Sequence, residues 1–127
     1  MEGYSAKIIE TSKELTAKEK VMLKDLSNAQ PLDSLVKDGD RILLNPDYYV
    51  IVAIHNEKSR DGNTDYENIV IIDKTGDKYK TGSQSFISTF QDIMSDMEDC
   101  DEEWSLAVYA KESRNREGKY FITCSVV

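Results

Sequence analysis

The chain has 127 residues, 39 % apolar and 31 % charged, with a formal net charge of −8. That length suits one domain, 1–127, with a core of its own, and the composition is too apolar for a disordered chain. It excludes several classes. No apolar run approaches the length of a bilayer span, Met1-Glu2-Gly3-Tyr4-Ser5 lacks the basic and apolar regions of a secretion signal, and two cysteines with one histidine cannot build a zinc site.

A cytoplasmic protein is therefore expected, with Cys100 and Cys124 as free thiols and with no metal or cofactor. An acidic chain repels phosphate backbones, which on charge alone disfavours nucleic acid. The charge is unevenly spread, however. Asp96, Glu98, Asp99, Asp101, Glu102 and Glu103 carry six negative charges within eight positions, and setting them aside leaves −2 of the −8. A basic surface elsewhere is compatible with that balance.

In chain order, Tyr4 to Glu10 reads as a short strand. Thr16-Ala17-Lys18-Glu19 fits a capping box, which predicts a helix to about Leu26. Val21-Met22-Leu23-Lys24 reads equally well as a strand. Asn28 to Pro31 breaks the pattern, and Asp38-Gly39-Asp40 is a turn before Arg41-Ile42-Leu43-Leu44. The strongest strand is Tyr48 to His55. Tyr48, Val50, Val52 and Ile54 lie on one face and Tyr49, Ile51, Ala53 and His55 on the other, so a strand with neighbours on both sides is expected. A polar hairpin loop from Lys58 to Asn63 leads to a return strand, Tyr66 to Asp73. Lys74-Thr75-Gly76-Asp77 turns again, and Lys78 to Thr81 completes a meander.

At Gly82 the period changes. Glycine accepts the backbone angles of a sharp strand-to-helix turn, and Ser83 can cap the helix that follows. Phe86, Phe90, Ile93 and Met97 mark one face of a helix over about 84–97. The acidic run lies at its C-terminal end, where the helix dipole disfavours it. The helix is therefore expected to end early or the acids to be well solvated. Trp104 to Lys111 alternates with Trp104, Leu106 and Val108 inward. A charged loop, Glu112 to Gly118, precedes the last strand, Lys119 to Val127.

The order over 46–127 is strand, strand, strand, helix, strand, strand. It predicts an α+β, β-rich fold: an OB-like five-stranded barrel or a curved antiparallel sheet with one main helix, and residues 1–45 as an N-terminal extension.

Single-strand binders stack bases on aromatic rings and track phosphates with lysine and arginine. The residues suited to that work are Tyr49, Tyr79 and Tyr109 for bases, and Lys58, Arg60, Lys78, Lys80, Arg114 and Arg116 for phosphates. The bland alternative is tyrosines at a core edge and solvated basic loops. The acidic run lacks EF-hand spacing. It reads as a solvated face, a partner-docking segment, or a mimic of a phosphate backbone. His55 precedes Asn56-Glu57 at a strand end, but no nucleophile accompanies it, so catalysis is not expected.

Three stretches carry a resemblance: His55-Asn56-Glu57-Lys58-Ser59, then Lys78-Tyr79-Lys80-Thr81-Gly82-Ser83-Gln84-Ser85-Phe86, then Gly118-Lys119-Tyr120-Phe121-Ile122-Thr123-Cys124-Ser125. With Leu15-Thr16-Ala17-Lys18-Glu19-Lys20, the chain from about residue 14 onward resembles small bacteriophage and prophage proteins described as single-stranded DNA-binding proteins. The resemblance implies a non-catalytic, phage-encoded protein acting around replication or recombination intermediates, with homo-oligomers compatible. It defines no site residue. Many single-strand binders end in an acidic tail that recruits partners. Here the acids are internal, so recruitment would use a loop. The leading expectation is single-stranded DNA binding. The runner-up is an acidic phage-encoded inhibitor that binds a host nucleic-acid enzyme, such as an immune-system nuclease, through Asp96, Glu98, Asp99, Asp101, Glu102 and Glu103.

Overall fold

The computed structural model describes residues 4–24, 28–36, 40–56, 65–100, 102–112 and 120–127. In chain order these form β1 (Tyr4–Thr11), α1 (Ala17–Lys24), β2 (Gln30–Pro31), α2 (Leu32–Leu35), β3 (Ile42–Leu44) and β4 (Pro46–Asn56). They continue with β5 (Asp65–Asp73), β6 (Lys78–Thr81), α3 (Gln84–Asp96), β7 (Leu106–Glu112) and β8 (Tyr120–Val126). The α+β, β-rich reading holds.

β4 buries side chains on both faces, as its two apolar registers require. Val50, Val52 and Ile54 pack with Leu23 and Val70 on one side. Tyr49 and Ile51 pack with Ile69, Ile71, Phe86 and Phe90 on the other. β1 and β5 flank it in a five-stranded sheet of order β1-β4-β5-β6-β2. The meander β4-β5-β6 is antiparallel as expected, and β2 joins β6 in parallel. Register shifts between Ile8 and Glu10 and between Pro46 and Tyr48 mark bulges, which bend and twist a strand.

Of the two expected forms, a five-stranded barrel or a curved antiparallel sheet, the open one is nearer to what is seen, but it is divided in two. β7 and β8 pair with β3 in a separate three-stranded sheet, and no pairing among the described residues joins the two sheets. The first 45 residues explain the difference. They supply β1, β2 and β3, which take the edge positions that barrel closure would need. Residues 1–45 are therefore woven into both sheets instead of being appended to one. The inner face of the second sheet, with Leu44, Leu106, Val108, Ile122 and Cys124, shares a core with α3 and the first sheet.

Asn45, between β3 and β4, ties these parts together. Its backbone N–H donates to the Asp73 carboxylate, and its carbonyl accepts from the Lys74 N–H at 2.9 Å. Its side-chain oxygen accepts from the Ser105 hydroxyl at 2.8 Å. The same Asp73 carboxylate accepts from the Thr75 hydroxyl at 2.8 Å, closing the β5–β6 turn. Gly76 in that turn has φ 93°, a region costly for other residues.

Both helix signals hold. At α1, the Glu19 N–H donates to the Thr16 hydroxyl (3.2 Å) and the Thr16 N–H to the Glu19 carboxylate (3.1 Å). Residues 17–24 are helix, not strand, yet Leu23 is the only buried side chain described on it. Val21 and Met22 are 70 % and 56 % exposed. At α3, the Ser83 hydroxyl accepts from the Phe86 N–H at 3.4 Å. Gly82 departs from expectation. Its φ is not positive, and its constraint is space, because a Cβ there would meet Asn68 Oδ1 at 3.0 Å. α3 stops at Asp96, where the Met97 N–H reaches Ile93 O, and Asp96, Glu98, Asp99, Glu102 and Glu103 are all exposed. The helix ends early and the described acids are solvated.

Phe90 is fully buried, with its ring edge-on to Tyr49 (5.1 Å, 88°) and stacked with Phe86 (5.8 Å). Phe90→Ala is expected to cost about 3–5 kcal/mol of unfolding free energy in a urea titration. Val21→Ala on exposed α1 is expected to change it by about 0.5 kcal/mol or less.

Candidate nucleic-acid interface

The structure separates the residues expected to act together. Tyr49 is a core residue, 9 % exposed, with its ring against Phe90. Burial and then the charge of Glu10 raise its hydroxyl pKa. A ring packed this way is not available to a base, which corrects its assignment as a stacking residue. Tyr79 is half-buried against the same core, and burial with Asp77 and Asp73 raises its pKa. Carboxylates beside it are poor company for a phosphate.

Lys78 and Lys80 point to the opposite side of β6, because alternate residues face opposite ways. The Lys78 ammonium donates to Met22 O at 2.9 Å and to Asn28 Oδ1 at 2.8 Å. It holds the end of α1, where the helix leaves carbonyls unpaired and favours a cation. The Lys78-Tyr79-Lys80 run is thus divided between two structural tasks. Lys58, Arg60, Arg114, Arg116 and Asp101 lie outside the described residues.

Tyr109 is placed differently. On β7, Leu106 and Val108 face the core, so Ala107, Tyr109 and Lys111 take the other face, where Ala107 is fully buried, Tyr109 half-buried and Lys111 exposed. The register sets Tyr109 opposite Thr123, Lys111 opposite Phe121, and Ala107 between Leu43 and Ser125. Phe121 is thereby the diagonal neighbour of Tyr109, within reach of an aromatic ring on one sheet face. Phe121 is 36 % exposed, Leu43 is 60 % exposed, and Lys111 is exposed. Arg41, exposed one step before β3, would fall level with Tyr109 if the β3–β7 register continued by one residue. The outward strand residues Leu43, Ala107, Tyr109, Lys111, Phe121, Thr123 and Ser125 include no carboxylate, in a chain of net charge −8.

No family model, no curated protein and no solved structure matches the chain. The chemistry of the surface is what bears on function. The outer face of the second sheet carries a half-buried tyrosine ring, a phenylalanine ring 36 % exposed, a lysine and two hydroxyls, with Arg41 at the start of β3 beside it. Rings stack on bases, and the cations can meet phosphates. Sequence reasoning missed Phe121 and Arg41. For Phe121 the signal was available, since it is out of phase with Ile122 and Cys124 on the last strand. Arg41 needed the β3–β7 register, which sequence does not show.

His55 Nδ1 lies 2.7 Å from Asp65 Oδ1 across β4 and β5, with side-chain exposures of 42 % and 77 %. An exposed pair of this kind is well solvated and contributes little to stability. Among the described residues no group of three potential metal ligands is present, and no helix is long and apolar enough to cross a membrane.

Both cysteines are free thiols. Burial pushes the Cys124 thiol up to about 12, so it stays protonated and unreactive. Iodoacetamide on the native protein is expected to add one adduct, at half-buried Cys100, and a second only after denaturation, as read by intact mass. A raised thiol pKa also means that burying neutral Cys124 stabilises the fold below the unfolded value of 9.0. That contribution falls as pH rises from there toward 12.

Proposed function

We propose that this protein binds single-stranded DNA without catalysis, through the outer face of its second sheet. The observation that carries the reading is the carboxylate-free strip with Tyr109, Phe121, Lys111 and Arg41 on a chain that is otherwise acidic. The sequence resemblance to phage single-strand binders supports it and suggests a place at replication or recombination intermediates. The reading does not need a closed OB barrel, because an open sheet face also presents rings side by side. Bases would stack on Tyr109 and Phe121, and phosphates would meet Lys111 and Arg41. Arg114 and Arg116, which lie between β7 and β8 in the sequence, remain expected contributors.

Fluorescence anisotropy with labelled oligo-dT at low and moderate salt tests this. Binding is expected to weaken as salt rises. Stacking is worth about 1–3 kcal/mol per base, so Tyr109→Ala and Phe121→Ala should each weaken binding roughly 5- to 150-fold. Tyr49→Phe, in the core, should leave it unchanged. Absence of binding at micromolar protein in low salt would sink the proposal, as would a Tyr109→Ala/Phe121→Ala variant that binds like wild type.

One observation favours the second reading, inhibition of a host nucleic-acid enzyme. The described carboxylates Asp96, Glu98, Asp99, Glu102 and Glu103 are all exposed along one short segment. Replacing them, with Asp101, by their amides would abolish inhibition under that reading. Under the DNA-binding reading the same variant binds oligo-dT as well as wild type or better.

A further inference from the structure

Among the described residues, β1 is the outermost strand of the five-stranded sheet and pairs on one side only, with β4. An edge strand presents a row of backbone donors and acceptors to any strand that fits it. Beside it lies an open trough of about 620 Å³ whose lining includes Ile8, Ile9, Glu14, Leu15 and Lys20. The bulge leaves Ile9 without a partner on β4, and Ile9 is 50 % exposed. A protected edge usually carries a charge at such a point. Here the outward residue is an isoleucine, with a charge two positions before it and one directly after.

The order Lys7-Ile8-Ile9-Glu10 is self-complementary when run against itself. We propose that β1 pairs antiparallel with β1 of a second copy, forming a two-fold dimer with one continuous sheet. The register sets Ile8 opposite the partner's Ile9 and Lys7 opposite the partner's Glu10, each twice by symmetry. Lys7 faces Ala53 and Glu10 faces Ile51, which share one side of β4. The two charges therefore lie on the same side of the joined sheet and meet across the axis. Gln91 Nε2 donates to Glu10 Oε2 at 2.6 Å, which orients that carboxylate in advance.

A slip of one residue in either direction sets Lys7 against an isoleucine or Glu10 against an isoleucine, so the register is specified by charge as well as by shape. The same two charges discourage an unrelated strand, which would leave them unmatched at the edge. This inference is independent of the DNA-binding reading, because β1 and the outer face of the second sheet belong to different sheets.

The test uses the full chain without nucleic acid, by sedimentation velocity over a concentration series. Wild type is expected to approach twice the chain mass as concentration rises. Lys7→Glu and Glu10→Lys each place like charges opposite one another, and each is expected to weaken the dimer by about tenfold or more. The double variant Lys7→Glu/Glu10→Lys restores the pairing with its sense reversed and should dimerise again. Carbodiimide coupling of wild type should yield a dimer band whose cross-linked peptides join Lys7 of one copy to Glu10 of the other. Circular dichroism confirms that each variant is folded. A wild type that stays monomeric throughout, single variants that dimerise like wild type, or a folded double variant that stays monomeric would each overturn the proposal.

Discussion

Everything in this fold leans on β4 being buried from both sides. An interior strand with apolar residues in both registers must find cover for each face, and it finds two different kinds. One face is covered by a large shared core, in which α3 and the second sheet meet Tyr49 and Ile51. The other is covered by a smaller cluster around Leu23 and Val70. Neighbours follow from the same demand, since an interior strand also needs its backbone groups paired on both edges. β1 and β5 satisfy that requirement.

Local signals were the most legible part of the sequence. The Thr16–Glu19 box, the Ser83 cap, the turn at Gly76 and the apolar period of α3 each depend on residues within a few positions of one another. They survive in the structure because nothing distant competes with them. Partnership between strands was less legible. Strand order along the chain suggested a barrel or one curved sheet, but β3 pairs with β7 and β1 with β4, Ile42 lying 66 positions from Val108 and Tyr4 lying 52 from Asn56. A three-residue strand such as β3 has almost no sequence signature, so its pairing with β7 could not be read in advance.

The aromatic and basic residues show the same limit. Composition and alternation told which residues share a strand face, but not whether that face is covered. Tyr49 and Tyr109 look alike in sequence, each outnumbered by apolar neighbours on a strand. One meets Phe90 and becomes core. The other stays half-buried on the face of its sheet turned away from the main core. Lysines 78 and 80, which bracket Tyr79, are similar: the Lys78 side chain meets the carbonyl end of a helix more than 50 positions away. Its charge is used within the fold, on the side of the sheet that Tyr79 does not face.

α1 has a further consequence. Among its described side chains only Leu23 is buried, and it is held at its end by the Lys78 ammonium. Cooperative units open with free energies that follow their buried contacts, so weakly anchored elements detach before the sheets they cover. α1 is therefore the element expected to detach first on this side of β4. Its departure would remove Leu23 from the cluster of Val50, Val52 and Val70 and leave the shared core on the far side of β4 untouched. The two faces of a single strand thus sit at opposite ends of the protein's stability range.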